Sequence, residues 1–133
     1  MGEVSIDDAR AELEAARDAL GDARVLLDGD GSDAGVCNRL YYAAFHAAQA
    51  ALYVREVNPA SHGAVRRQFG QHLVLDGDAS REEGRLLGDL YDHRQEADYR
   101  LVSLDVDVEA LVSDVDAFVA HMEALVQERV DSG

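Results

Sequence analysis

An arginine and an aspartate stand where a helix core is expected. Leu87, Leu90, Tyr91 and Leu101 trace an apolar stripe, Arg94 falls in its middle, and Asp98 follows one helical turn later. Taking an ion out of water is costly unless it is paired and hydrogen-bonded. One reading is an internal Arg94–Asp98 ion pair capped by a tyrosine hydroxyl. The other is a cleft in which Arg94 meets a phosphate or another anionic partner, with Asp98 holding its guanidinium. More polar groups lie in the stretch from Asn38 to Val54, which carries two adjacent tyrosines (Tyr42 the one placed in the cleft), His46 and Gln49. His46 can be a hydrogen-bonded core histidine or a proton-transfer group. His62 opens a later helix and can bond a backbone group or face the same cleft. Tyr42 and Tyr99 read first as packing residues with a satisfied hydroxyl.

The elements that position these groups are helices. Asn38 to Val54 has no Gly or Pro and is apolar almost all round, so it is expected to be the buried central helix. Tyr42, Phe45, Gln49 and Leu52 give it a bulky face, and Ala43, Ala47, Ala50, Ala51 and Val54 an alanine-rich one. A first helix is expected from about Ser5 to Leu27, on the stripe Ala9, Leu13, Ala16, Leu20, Ala23 and Leu27. Ser5 with Asp8 opens it as a capping box, and Arg10, Glu14 and Arg17 take its wet side with local pairing. Asp28 to Gly35 reads as an acidic turn, since it lacks the glycine and closing glutamate of a calcium loop. Pro59 ends the central helix, and Ser61 caps a third with His62, Val65, Phe69 and Leu73 inward. Ser80 with Glu83 is a capping box for the fourth. The fifth begins around Asp105 to Asp107 and carries the stripe Val108, Leu111, Val112, Val115, Val119, Met122 and Val126. The expected fold is all-α, an up-and-down antiparallel bundle of four to five helices forming one domain over residues 1–133, with its core at about 5–129.

Composition sets the setting. With 47% hydrophobic residues in 133 the chain is not disordered. No apolar run spans a membrane, the acidic N-terminus has no secretory pattern, and the single Cys37 allows no internal disulfide, so a cytoplasmic chain is expected. Net charge is −15, and all 12 basic residues are arginine. Such self-repulsion fits a cytosol of very high salt, where screening removes its cost, or a GC-rich genome. A salt-adapted surface can still carry a local basic cleft. No Glu-x-x-His spacing, cysteine pair or phosphate-binding glycine loop is present, so no metal and no cofactor is expected.

The run Tyr41-Tyr42-Ala43-Ala44-Phe45-His46-Ala47-Ala48 with Ala50 and Leu52, then Ser61-His62-Gly63, Phe69, Arg94 and Ala97-Asp98-Tyr99, resembles the HEPN domains, over roughly residues 10 to 127. These are small helical "higher eukaryote and prokaryote nucleotide-binding" modules, and the stand-alone archaeal and bacterial members are the most similar. The resemblance implies a dimerising bundle of four or five helices. It implies a minimal nucleotidyltransferase as partner, in a toxin–antitoxin-like pair, and RNA or a nucleotide as ligand.

Ribonuclease members of that family place a histidine after the arginine with four to six residues between them. Arg94 matches the arginine, but the corresponding positions here are Tyr99, Arg100 and Leu101. The resemblance therefore implies an interaction or nucleotide-binding module, with Arg94, Asp98, Tyr99, Tyr42 and His62 lining its cleft. The alternative is a divergent, metal-independent RNase toxin that uses Arg94 with a histidine from elsewhere in a dimer cleft, His46 among them.

Overall fold

A computed structural model describes the backbone of residues 6–100 and 107–132 and the side chains of residues 6–95 and 107–132. Five α-helices follow one another: α1 (Ile6–Asp28), α2 (Asp33–Tyr53), α3 (His62–Phe69), α4 (Arg81–Arg100) and α5 (Val108–Ser132). A wider, π-helical turn over Gly70–Val74 extends α3. No strand occurs among the described residues, and the chain is an all-α bundle.

Three contacts give the directions. Ala9, Ala50 and Val126 cluster together, so the start of α1 meets the ends of α2 and α5. Arg55, just past the end of α2, pairs with Asp76 and Asp78, just before the start of α4. Arg129, near the end of α5, donates to the Val54 carbonyl at the end of α2. The long helices α1, α2, α4 and α5 therefore run up, down, up, down, and α3 crosses between α2 and α4.

Helix α2 is the centre, packed against all four other helices. Its alanines at 43, 44, 47, 48, 50 and 51 are essentially inaccessible. Small side chains let neighbouring backbones approach closely, which is how one helix can serve several partners. The expected two-faced division of this helix does not hold. Phe45 and Leu52 are buried like the alanines, and the half-buried line is Tyr42, His46, Gln49 and Tyr53. That i, i+4, i+7, i+11 line is where the polar atoms of α2 reach water.

The helix ends follow from identifiable caps. The Ser80 hydroxyl accepts from the Glu83 N–H while Glu83 Oε1 accepts from the Ser80 N–H, at 3.1 and 2.9 Å. Ser61 caps α3 by accepting from the Ala64 N–H, and Asp107 caps α5 by accepting from Ala110. Ser5 of the expected first capping box lies outside the described residues. The turn read from Asp28 to Gly35 is shorter than expected. Ser32 accepts from the Gly35 N–H and starts α2 at Asp33, so a cap overrides the glycine-rich composition.

The stripes of α1, α3 and α5 are buried or half-buried where the pattern put them, except that His62 is exposed and Phe118 joins the α5 set. Arg17 does not pair within α1. Its guanidinium donates to Glu123 at 3.0 and 2.5 Å and to Asp116 at 3.0 Å, both on α5, and Arg24 reaches Asp116 at 3.1 Å. Hydrogen bonds from Arg17 hold the Asp116 carboxyl below its usual range. The Arg17 side chain remains 40% exposed, so this cluster fixes the register of α1 on α5 more than it adds stability. Burial, with Asp33 nearby, raises the Cys37 thiol to about 11, so it is an inert core group at neutral pH.

Candidate functional site

The polar groups converge where α2, α3 and α4 meet. Arg94 is half-buried and places its guanidinium carbon 5.3 Å from the Tyr41 ring centroid and 5.4 Å from that of Tyr42. The two rings stand edge to face, 5.3 Å apart at 71°. Arg39 covers Tyr42 as well, at 5.1 Å. Aromatic faces attract guanidinium groups and hold their planes, so Arg94 is kept in place by its own helix and by α2. The expectation that it interrupts a core stripe resolves into this position at the edge of the core. Asp98 and Tyr99 lie outside the residues whose side chains are described.

Tyr41, only 2% exposed, is the group that pattern reading left out of the cleft. Its hydroxyl lies 2.9 Å from His62 Nδ1, which ties α2 to the start of α3. The Phe45 ring lies 4.2 Å from the His62 imidazole. Burial pushes the Tyr41 phenol up to about 12 despite the opposing pull of Arg94 and Arg66, so it keeps its proton. Although the residue is largely exposed, partial desolvation of its ring lowers the His62 pKa, and Arg94 and His46 lower it further. A neutral imidazole can act in either sense. With Nδ1–H donating to the phenol oxygen, Nε2 is free to take a proton. With the phenol donating, Nε2–H can give one.

His46 is placed differently. Its Nδ1 lies 2.6 Å from Glu12 Oε2 of α1, and no described contact joins it to Arg94. The site therefore gathers Arg94, Tyr42, Tyr41 and His62, with His46 and Glu12 beyond the shared wall formed by Phe45, His62 and Val65. On one side of that wall is a pocket of about 510 Å³ lined by Tyr41, Leu87, Tyr91, Arg66 and Arg67. On the other is a shallower groove of about 250 Å³ that includes His46, Gln49 and Glu12. Arg66 and Arg67 were not singled out from the sequence. The available signal was an adjacent arginine pair one turn after Ser61-His62-Gly63 in a strongly acidic chain. Among the described residues no group of three His, Cys, Asp or Glu could hold a metal, and no helix is long and apolar enough to cross a membrane.

The family model for the HEPN domain matches residues 9–126. The chain belongs to the HEPN family. This HEPN chain is 28% identical over 123 residues to a Methanocaldococcus jannaschii protein named "Putative toxin MJ0605", covering 92% of the chain and 91% of that protein. A second protein of that organism, "Putative toxin MJ0142", is 31% identical over 62 residues, 47% of the chain and 42% of the relative. The "UPF0332 protein PH1297" of Pyrococcus horikoshii is 32% identical over 71 residues, 53% and 49% of the two chains. The match to the first relative runs nearly end to end, so it takes in every helix that builds the site.

The lowered His62 pKa has a consequence for folding. The unfolded chain binds this proton more readily, so the contribution of His62 to stability is complete above its ordinary value of 6.5 and is lost as pH falls from there through the folded pKa. Melting temperature should therefore fall less steeply in His62→Gln than in wild type between about pH 7.5 and about pH 5. Parallel slopes would remove this assignment, and the other histidines cancel in the comparison.

Proposed function

We propose that this HEPN chain is the toxin-like half of a two-component pair and that it binds the phosphates of RNA or a nucleotide through Arg94. The observation that carries the reading is the guanidinium of Arg94 on the rings of Tyr41 and Tyr42, beside the Tyr41–His62 hydrogen bond. A planar, permanently charged group held against aromatic faces is suited to a phosphate. The name of the near full-length relative supports the toxin-like role. In this reading the unit is a single domain, works as a homodimer in a cytoplasm of high salt, and has a minimal nucleotidyltransferase as its partner.

A second reading is favoured by His62. Its imidazole bonds the hydroxyl of Tyr41, the ring that Arg94 covers, which makes it the candidate to replace the histidine missing after Arg94 in the chain. In that case the site cleaves RNA without a metal, with Arg94 on the phosphate and His62 moving the proton.

One set of measurements tests these readings. Light scattering from dilute buffer to multimolar KCl should give a dimer, with helicity by circular dichroism rising with salt as 27 acidic groups are screened against 12 arginines. The same preparation should retain single-stranded RNA. A strict monomer, or full helicity with an unchanged melt in dilute buffer, counts against the assembly or the salt adaptation respectively. RNA left intact by wild type while still bound selects the binding reading over cleavage.

A further inference from the structure

The pocket of about 510 Å³ between α2, α3 and α4 is apolar inside and cationic at its edge. Tyr41, Phe45 and Tyr91 give it rings, and Val65 and Leu87 give it aliphatic surface. The rings do not form a slot. Tyr41 and Phe45 lie within 30° of parallel, but Tyr41 and Tyr91 meet at 61°. The hydroxyls of the wall are already engaged. The Tyr41 oxygen lies 2.9 Å from His62 Nδ1, and the Tyr91 oxygen accepts from Gln95 Nε2 at 2.8 Å. A flat heterocycle would find no parallel faces here and few groups to meet its edge atoms, and stranding buried polar atoms is costly. A branched or aromatic hydrocarbon side chain has no such atoms to lose.

The charge at the edge is distinctive. Arg17, Arg24 and Arg55 are each neutralised by carboxylates of the same chain. Arg66 instead lies over the Tyr91 ring at 5.7 Å, Arg67 is exposed, and neither makes an ion pair among the described residues. A chain of net charge −15 repels an acidic partner over most of its surface. Two guanidinium groups beside an apolar pocket therefore fix where such a partner can touch and in what orientation. Protein segments bind in this way, with one anchor in a pocket and charged flanks at its rim.

We propose that this pocket is the docking site for an acidic segment of a partner protein. One bulky apolar side chain of the segment fills the space between Tyr41, Phe45, Leu87 and Tyr91, and the carboxylates beside it meet Arg66 and Arg67. This goes beyond the reading above and does not depend on what Arg94 holds, since Arg94 is not among the residues that line the pocket.

The test begins with a displayed library of random short peptides selected on the full chain. Winners should carry Leu, Ile or Phe beside Asp or Glu. They are then synthesised and titrated by calorimetry at low and high salt, and circular dichroism checks each variant. Replacing a peptide's apolar anchor by Ala should weaken it about 30-fold, as at a buried hot spot. Arg66→Ala with Arg67→Ala should weaken it about tenfold at low salt and less at high salt, as rim charges do. Gly63→Leu decides the location. Gly63 lines the pocket, a Cβ there meets nothing within 4 Å, and leucine suits a helix better than glycine, so the change fills space without loosening the fold. It should abolish peptide binding and leave the retention of single-stranded RNA unchanged. No selected peptides, peptides without the acidic and apolar pattern, or peptides that bind Gly63→Leu as well as wild type overturn the proposal. Loss of the RNA instead of the peptides in Gly63→Leu assigns the pocket to RNA and also overturns it. A dimer that becomes a monomer in Gly63→Leu by light scattering assigns the pocket to a second copy, with the same result. Peptides that bind a chain retaining no RNA leave this docking site standing and overturn the Arg94 reading.

Discussion

Arg94→Ala is expected to weaken RNA binding by about 10- to 100-fold while lowering stability by only about 1 kcal/mol. The binding loss follows from the charge-assisted hydrogen bonds that one guanidinium makes to a phosphate, typically about 1.5–3 kcal/mol. The stability cost follows from the contacts in the free chain. Arg94 lies on the Tyr41 and Tyr42 rings, and cation–π contacts are each worth about 0.5–2 kcal/mol, toward the lower end where water reaches the group. Arg94→Lys keeps the charge and loses the plane, so it should restore part of the salt-sensitive binding and little else. Thermal melts and RNA titrations of the three proteins measure both quantities. A loss of roughly 3–5 kcal/mol, the cost of breaking a buried pair from one side, would make Arg94 a core ion-pair residue and remove it from the cleft.

Phe69→Ala should be the most damaging single truncation in the bundle, at about 3–5 kcal/mol. The Phe69 ring is fully buried and lies 5.6 Å from that of Phe118 on α5. Helix α3 has only eight residues and buries Ala64, Val65 and Phe69, so this ring is its main hold on the bundle. In a domain of this size the melting temperature should fall on the order of 10–20 °C. The effect should extend to ligand binding, because α3 also carries His62. Calorimetric melts give the first quantity, and RNA titration well below the melt gives the second. A fall of only a few degrees would mean that α3 is held by its Ser61 cap and the Tyr41–His62 bond instead.

These contrasts explain what could be read from residue order. The caps at Ser61 and Ser80 and the stripe of α5 are local, with every partner within one or two turns, so pattern alone located them. The start of α2 was hidden because Gly31 and Gly35 suggest a loop, and only the Ser32 hydroxyl accepting from Gly35 identifies a helix there. Arg17 shows the same limit at longer range. Its neighbours in sequence offered pairing within α1, but its carboxylates come from α5, about a hundred residues away. For the site, spacing picked out Arg94 and His62 as unusual but could not join them. The joining group is Tyr41, whose ring is buried among apolar neighbours and whose hydroxyl alone carries the contact. Arg66 and Arg67 became part of a pocket only once α4 supplied its Tyr91 wall.

Glu83 links two helices in a way that bears on how the bundle can move. One of its carboxylate oxygens closes the cap of α4 on Ser80, and the other lies 2.6 Å from His121 Nδ1 on α5. The beginning of α4 is thus pinned to its neighbour, and any swing of that helix must pivot there. Arg94 sits about 16 Å along the axis from that pivot at 1.5 Å per residue, so a tilt of about 5° carries its position about 1.4 Å. Helix α4 is in this sense a lever: a partner that presses on its far end moves Arg94 across the tyrosine rings without disturbing the pinned start. On the proposed reading of Arg94, its anion site would then be adjustable from outside the cleft, by a force applied to one helix, while the packing around α2 stays as it is.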